Sequence, residues 1–348
     1  GQSVNGVQRS VLTVVVAFAA CSQEQPGEQV RAPDAGEVPA EVVAAPPSVP
    51  HHATREAFFG DLHVHTRLSY DAFAFGTLAD PDAAYAFARG EAIRHPAGFD
   101  MVLDRPLDFL GVADHAEYLG MVPAMTDPAS PAFHHPEAER VRTATTPEDR
   151  RAAMVALSAY LRGTPGTEQY LDLGVVRSAW GEVIAAANRH NEPGRLTTFI
   201  AYEYTSDGGN RDNLHRNVVF RGDRAPDMPF SRLDSLNPED LWSRMDAWRE
   251  SGMDALAIPH NSNGSGGRMF ESNNYAGESF DAAYVASRTR NEPLVEVTQI
   301  KGTSETHPAL SPNDEWAGFE IMPYKVATTI VSEPAGSYAR DALRRGLE

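Results

Sequence analysis

Histidines and carboxylates in this chain stand repeatedly at the ends of short apolar runs. In Gly60-Asp-Leu-His-Val-His-Thr66, period-two alternation along a strand would send Leu62 and Val64 to one side and His63 and His65 to the other, within reach of one ion. Phe109-Leu-Gly-Val-Ala-Asp-His115 closes an apolar run with Asp114 and His115, and Phe199-Ile-Ala-Tyr-Glu203 ends in a carboxylate that burial would penalise unless it were paired or coordinated. His215 lies in Asn213-Leu-His-Arg-Asn217 and His260 in Ala257-Ile-Pro-His-Asn261. A single such histidine is more often a satisfied core or surface residue. Five strand ends bearing these groups point to a shared metal site and to hydrolysis by metal-activated water.

The elements that would position these residues alternate short apolar runs with helical patterns, the rhythm of an α/β fold built from βα units. Strands are predicted over residues 58–65, 107–113, 197–203, 214–220, 254–258, 294–300 and 318–322. Asp80-Pro81 and Asn237-Pro238 each place a capping side chain before a proline suited to a first helical turn. Helical spacing also covers 152–161, 175–189 and 337–345, whereas the proline-rich stretch 121–146 is expected to be a long loop over one face. Strand-end chemistry suits a parallel sheet or barrel, whose sites gather at the carboxyl ends. The stretch 263–267 lacks the Lys-Ser/Thr of a phosphate-cradling loop and reads as a flexible connection.

Asp-Leu-His-Val-His-Thr with Ser69 and Asp71 downstream, then Ala-Asp-His, the strand-end Glu203, His215 and Ile-Pro-His resemble the motifs of the polymerase and histidinol phosphatase (PHP) superfamily of metal-dependent phosphoesterases. Asn213-Leu-His-Arg-Asn217, Ile258-Pro-His-Asn-Ser-Asn263 and Ile300-Lys-Gly-Thr-Ser-Glu-Thr-His-Pro308 are similar to an exported, uncharacterised branch of it. The resemblance implies a distorted (β/α)7 barrel over residues 57–348 with two or three divalent ions, Zn, Mn or Fe. His63, His65 and Glu203 would hold a first ion, Asp71 and His115 a second, and His215 and His260 a third bridged by Glu203. Asp114, His115 and Glu203 would form the catalytic group, with Asp114 orienting a ligand or assisting proton transfer. The branch also carries an Asp-x-His pair after its last strands, and none follows Gly318, so the chain is expected to stop short of its final strand. Glu305-Thr-His307 is the sequence that could imitate that pair or line the pocket. Arg216, Asn261, Arg268 and Lys301 are candidates to bind a small, phosphorylated substrate.

Composition bounds the remaining readings. The 48 acidic against 30 basic residues, net charge −18, argue against nucleic acid as a partner. With one cysteine, Cys21, neither an intramolecular disulfide nor a multi-cysteine zinc site is possible. Cys21 follows an apolar run of signal-peptide length and two alanines, so residues 1–21 read as a bacterial lipoprotein signal with Cys21 lipidated. Residues 22–56, with six prolines and no aromatic ring, read as a disordered tether. The expected place is thus the periplasm or cell surface, attached to a membrane only through the lipid. Amide or lactone hydrolysis on the same ions, and a metal- or ligand-binding lipoprotein without turnover, are the alternatives.

Overall fold

The structure, a computed structural model, describes residues 56–347, and the signal segment, Cys21 and nearly all of the tether lie outside them. Five strands build the central sheet: β1 (Gly60–Val64), β2 (Phe109–Val112), β3 (Thr197–Tyr204), β4 (Arg216–Phe220) and β5 (Ala255–Pro259). They lie side by side in chain order. The first three pair in parallel, while β4 is antiparallel to both β3 and β5. Helix α1 (Tyr70–Ala74) follows β1 directly. Around the sheet run α2 (Pro81–Ala88), α3 (Pro147–Leu161), α4 (Leu173–His190), α5 (Pro238–Glu250), α6 (Ala282–Asn291) and α7 (Ala339–Leu347).

The expected caps form. Asp80 accepts from the Ala83 amide at 2.9 Å and Asn237 from the Glu239 amide at 2.9 Å, each before a proline whose missing N–H a helix start does not need. Thr146 and Asp149 close a capping box that carries α3 back to Pro147.

Alternation divides the sheet into two faces. Leu110, Val112, Ile200, Tyr202, Val218 and Phe220 pack outward with Tyr85, Trp180, Leu241 and Met245 of the helices. Ala113, Ala201, Val219 and Ile258 form a smaller inner cluster with Leu62, Phe199 and Leu256. Small residues on this face let the sheet curl: a Cβ on Gly111 would stand 3.2 Å from Leu62 Cδ2. The curl brings β1 back toward β4, where the Asn217 side-chain amide donates to the Leu62 carbonyl at 3.1 Å.

The sheet does not close, so the expected (β/α)7 barrel is corrected to a mixed, curled five-stranded sheet with no closed barrel among the described residues. Of the run 294–300 only Thr298–Gln299 forms a ladder, and it pairs with Gly302–Thr303 rather than with β5. Ile300 is fully exposed, so its apolar side chain finds no layer to pack on. The stretch 318–322 makes no strand; Glu320 takes a left-handed φ of 51°, which breaks the extended path.

Two loop expectations also change. Stretch 121–146 is a series of short helical turns that bury Met121, Val122, Met125, Ala132 and Ala138. The loop 263–267 is pinned rather than loose: the Asn263 amide donates to Ser304 Oγ, and Gly267 N to Ser337 Oγ at 2.8 Å. No helix among the described residues is long and apolar enough to cross a membrane.

Candidate metal centre

The inner face of the curled sheet ends in the residues that carry the chemistry. Ala113 leads by alternation to His115 and Ala201 to Glu203, while Val219 and Asn217 lead back to His215, and Ile258 leads on to His260. Because β4 runs antiparallel, its histidine precedes the strand, where the others follow theirs. The backbone joins these ends: His260 N donates to the His215 carbonyl at 3.2 Å, Glu203 N to Asp114 O at 2.9 Å and Ala116 N to Glu203 O at 2.9 Å.

On β1 simple alternation fails. The register passes from Asp61↔Leu110 to Val64↔Val112, three residues against two, the mark of a bulge. Leu62 therefore packs in the inner cluster and Val64 against the outer one, yet His63 and His65 still come together with ring centroids 5.4 Å apart.

Glu203, 1 % exposed, is the hub. Its Oε1 lies 2.7 Å from His215 Nδ1, 3.2 Å from His115 Nδ1 and 3.4 Å from His260 Nε2. Its Oε2 lies 3.0 Å from His65 Nε2 and 3.4 Å from His63 Nε2. Asp71 spans His65 and His115, with Oδ1 3.2 Å from His65 Nδ1 and Oδ2 3.4 Å from His115 Nε2, and Ser69 Oγ donates to it at 2.6 Å. Two sets, His63–Glu203–His260 and His65–His115–Glu203, each gather three ligand atoms within 4.8 Å of one another and could hold a metal ion.

The donors fit that use. His65 Nε2 and Glu203 Oε2 are buried and close, yet neither makes a hydrogen bond of acceptable geometry. Two buried polar atoms that face each other without a bond suit a shared cation between them.

The charges are strongly coupled. Burial works against the His63 imidazolium, but the closeness of the Glu203 and Glu296 carboxylates outweighs it and lifts its pKa to about 9. His65 and His115 are likewise raised, against burial, by their carboxylate neighbours. Burial dominates at His215 and His260 and lowers them to about 4 and about 3, with Lys301 among the charges that depress His215. Glu203 is held well below the carboxylate range despite burial, chiefly by His115 and His260. Asp71 is lowered against burial by His115 and His65.

The other sequence candidates divide. Asp114 has the opposite parity to His115 and stays outside the cluster; it accepts from Thr66 N and Thr66 Oγ1 and so fixes the turn after β1. Burial pushes its carboxyl up to about 6. Arg216, one residue out of phase with His215, turns to the helix side, where its Nε meets the buried Glu292 at 2.6 Å. Arg268 donates to Gly208 O and stacks over Tyr275 with 5.0 Å to the ring centroid. Asn261 is buried beside His260 with φ 47° and an unpartnered side-chain amide nitrogen. Lys301 is half-buried on the hairpin whose Lys301 carbonyl accepts from Asn263 Nδ2 at 3.1 Å, and no carboxylate among the described residues pairs with it.

Glu305 and His307 do not join the centre. The Glu305 carboxylate is exposed and taken by Arg340, and His307 lies against Tyr338.

Four neighbours escaped the sequence reading. Tyr70 stacks on His115 at 4.5 Å, Thr205 Oγ1 contacts His115 Nδ1, and the buried Glu117 accepts from Tyr70 OH at 3.2 Å. Glu296 Oε2 lies 2.8 Å from His63 Nδ1. Only Glu296 carried a signal, a carboxylate between two valines in an apolar run, like that of Glu203.

The family model described as protein of unknown function (DUF3604) matches residues 52–348. The chain belongs to the DUF3604 family. No curated protein and no solved structure matches this DUF3604 chain.

Proposed function

We propose that this DUF3604 protein is a metal-dependent hydrolase of phosphate esters, with Glu203 among the residues that would hold two or more divalent ions. The observation that carries the reading is one buried carboxylate approached by five imidazoles, four of which fall with it into two overlapping ligand sets. Mixed imidazole and carboxylate donors suit Zn, Mn or Fe. His63 and His260 would serve one ion and His65 and His115 the other, with Asp71 on the ring nitrogens of His65 and His115 that face away from Glu203, and His215 approaches the Glu203 oxygen shared by His115 and His260. Ions held by these residues would supply an activated water and stabilise anionic oxygens in a transition state.

The residues around the centre support an anionic substrate. Of the three basic candidates, Arg216 and Arg268 are engaged elsewhere, and Lys301, whose charge is felt at His215, remains to meet a phosphoryl oxygen. The free amide nitrogen of Asn261 supplies a neutral donor next to His260. The motif resemblance to PHP phosphoesterases points to the same chemistry, and the lipobox-like Cys21 to an exported enzyme.

Metal analysis of the purified protein, followed by assay of phosphomonoester, phosphodiester and amide substrates with Mn²⁺ or Zn²⁺, tests the reading. The expected result is two or more ions per chain and phosphoester turnover abolished by chelation. Tight metal binding without hydrolysis of any substrate would make it a binding protein, and amide turnover alone would overturn the substrate class.

A further inference from the structure

We infer that Glu296 is the positioning residue of His63, fixing which ring nitrogen faces the metal centre. The two nitrogens of His63 face two different carboxylates: Nδ1 is 2.8 Å from Glu296 Oε2, and Nε2 is 3.4 Å from Glu203 Oε2. A carboxylate on Nδ1 keeps the proton there and leaves the Nε2 lone pair directed at the Glu203 side, where an ion would sit. It also makes the imidazole a stronger donor.

Glu296 is held for this task on both sides. Its Oε1 accepts from Gln299 Nε2 at 2.9 Å, and its backbone N–H donates to the Pro259 carbonyl at 3.0 Å, one residue before His260. The segment therefore rests on the end of β5, and Ser304 N donating to Val297 O at 2.7 Å closes it from the other side. Among the five imidazoles Glu296 hydrogen-bonds His63 alone, whereas Asp71 touches both His65 and His115. The two histidines of the β1 motif are thus oriented by different carboxylates from opposite ends of the chain.

This inference rests on the metal reading, and its test separates the two. Zn²⁺ affinity of the full chain is measured by chelator competition for wild type, Glu296→Ala, Glu296→Gln and Gln299→Ala. The comparison is made at one fixed pH for all four proteins, so that the proton concentration competing for the rings is the same in each. Loss of a second-layer carboxylate typically weakens binding about 10- to 100-fold, and Glu296→Ala should weaken one ion by that factor. Glu296→Gln should recover most of it, because an amide oxygen still accepts from Nδ1–H, and Gln299→Ala should show a smaller loss of the same ion. Co²⁺ absorption spectra should show the ligand set unchanged in Glu296→Gln.

Wild-type affinity in Glu296→Ala would overturn the inference. So would Glu296→Gln as weak as Glu296→Ala with an altered Co²⁺ spectrum, since Glu296 would then be a ligand itself. A wild-type chain that binds no Zn²⁺ would defeat the metal reading and this inference with it. A Glu296→Ala variant too unstable to measure leaves Glu296→Gln and Gln299→Ala to decide.

Discussion

Glu203 ends a central strand with a neighbour on either side, is 1 % exposed, and has five imidazole nitrogens within 3.4 Å. Glu305 follows a two-residue ladder, is exposed, and pairs with Arg340, while its neighbour His307 turns to Tyr338. Both are carboxylates at or soon after an expected strand, and both looked able to bind metal. The difference lies in what surrounds them. A curled sheet brings the ends of several strands to one point and excludes water, so charges there must be paired or coordinated. A separate two-stranded hairpin gathers no other strand ends around Glu305, and its carboxylate is left to water and a surface arginine.

The largest effect that would break this contrast is expected at the hub. Glu203→Ala should remove both ions and all hydrolysis, and leave five imidazoles without their shared carboxylate. Breaking such a buried set is expected to destabilise the metal-free protein by roughly 3–5 kcal/mol. Metal analysis and chemical denaturation check both halves, and retention of two ions would show that Glu203 is not the bridge.

Next in size are His63→Ala and His65→Ala. Each should lower metal content and hydrolysis together while the fold persists, because the outer core of Trp180, Tyr202 and Phe220 does not depend on either ring. Lost activity at unchanged metal stoichiometry would assign the ring to substrate instead.

The coupled charges predict a pH response of smaller size. His63 is raised to about 9, so the stability it lends the metal-free protein is complete below 6.5 and is lost as pH climbs through 9. His215 and His260 are lowered to about 4 and about 3, so their contribution is present above 6.5 and is lost as pH falls toward those values. Metal-free protein should accordingly be most stable near pH 6.5 as far as this cluster is concerned. Ions need the neutral rings, so apparent affinity should rise by about tenfold per pH unit for each proton displaced, up to about 9. Thermal melts with and without chelator across pH 5 to about 9 read both trends, and a flat alkaline arm without metal would refute the assignment of His63.

The smallest effect is expected at the surface pair. Glu305→Gln and His307→Ala should leave metal content unchanged, since neither side chain reaches the centre. A fall in bound metal in either variant would erase the contrast with Glu203.

Much of the centre was legible because its residues sit at the ends of runs whose apolar alternation is strong. The ends of β2 through β5 could be placed within a residue or two, and with them His115, Glu203, His215 and His260. Arg216 was misjudged although the same alternation excludes it, for it is one step out of phase with His215. The barrel implied by the PHP resemblance does not form, and the two strands expected at 294–300 and 318–322 fail because an apolar run looks like a strand whether or not a partner edge is there to receive it.

By itself the sequence determined the kind of candidate ligands, their order along the chain and the helix starts, because side-chain chemistry, strand period and capping are local properties. The tertiary structure alone decided that the sheet curls without closing, that a bulge in β1 sends Leu62 and Val64 to different clusters, and that Glu296 rather than Glu305 returns to the centre. Each of these depends on contacts between segments far apart in the chain. Glu296 and His63 are separated by 233 positions, a distance over which no local pattern carries information.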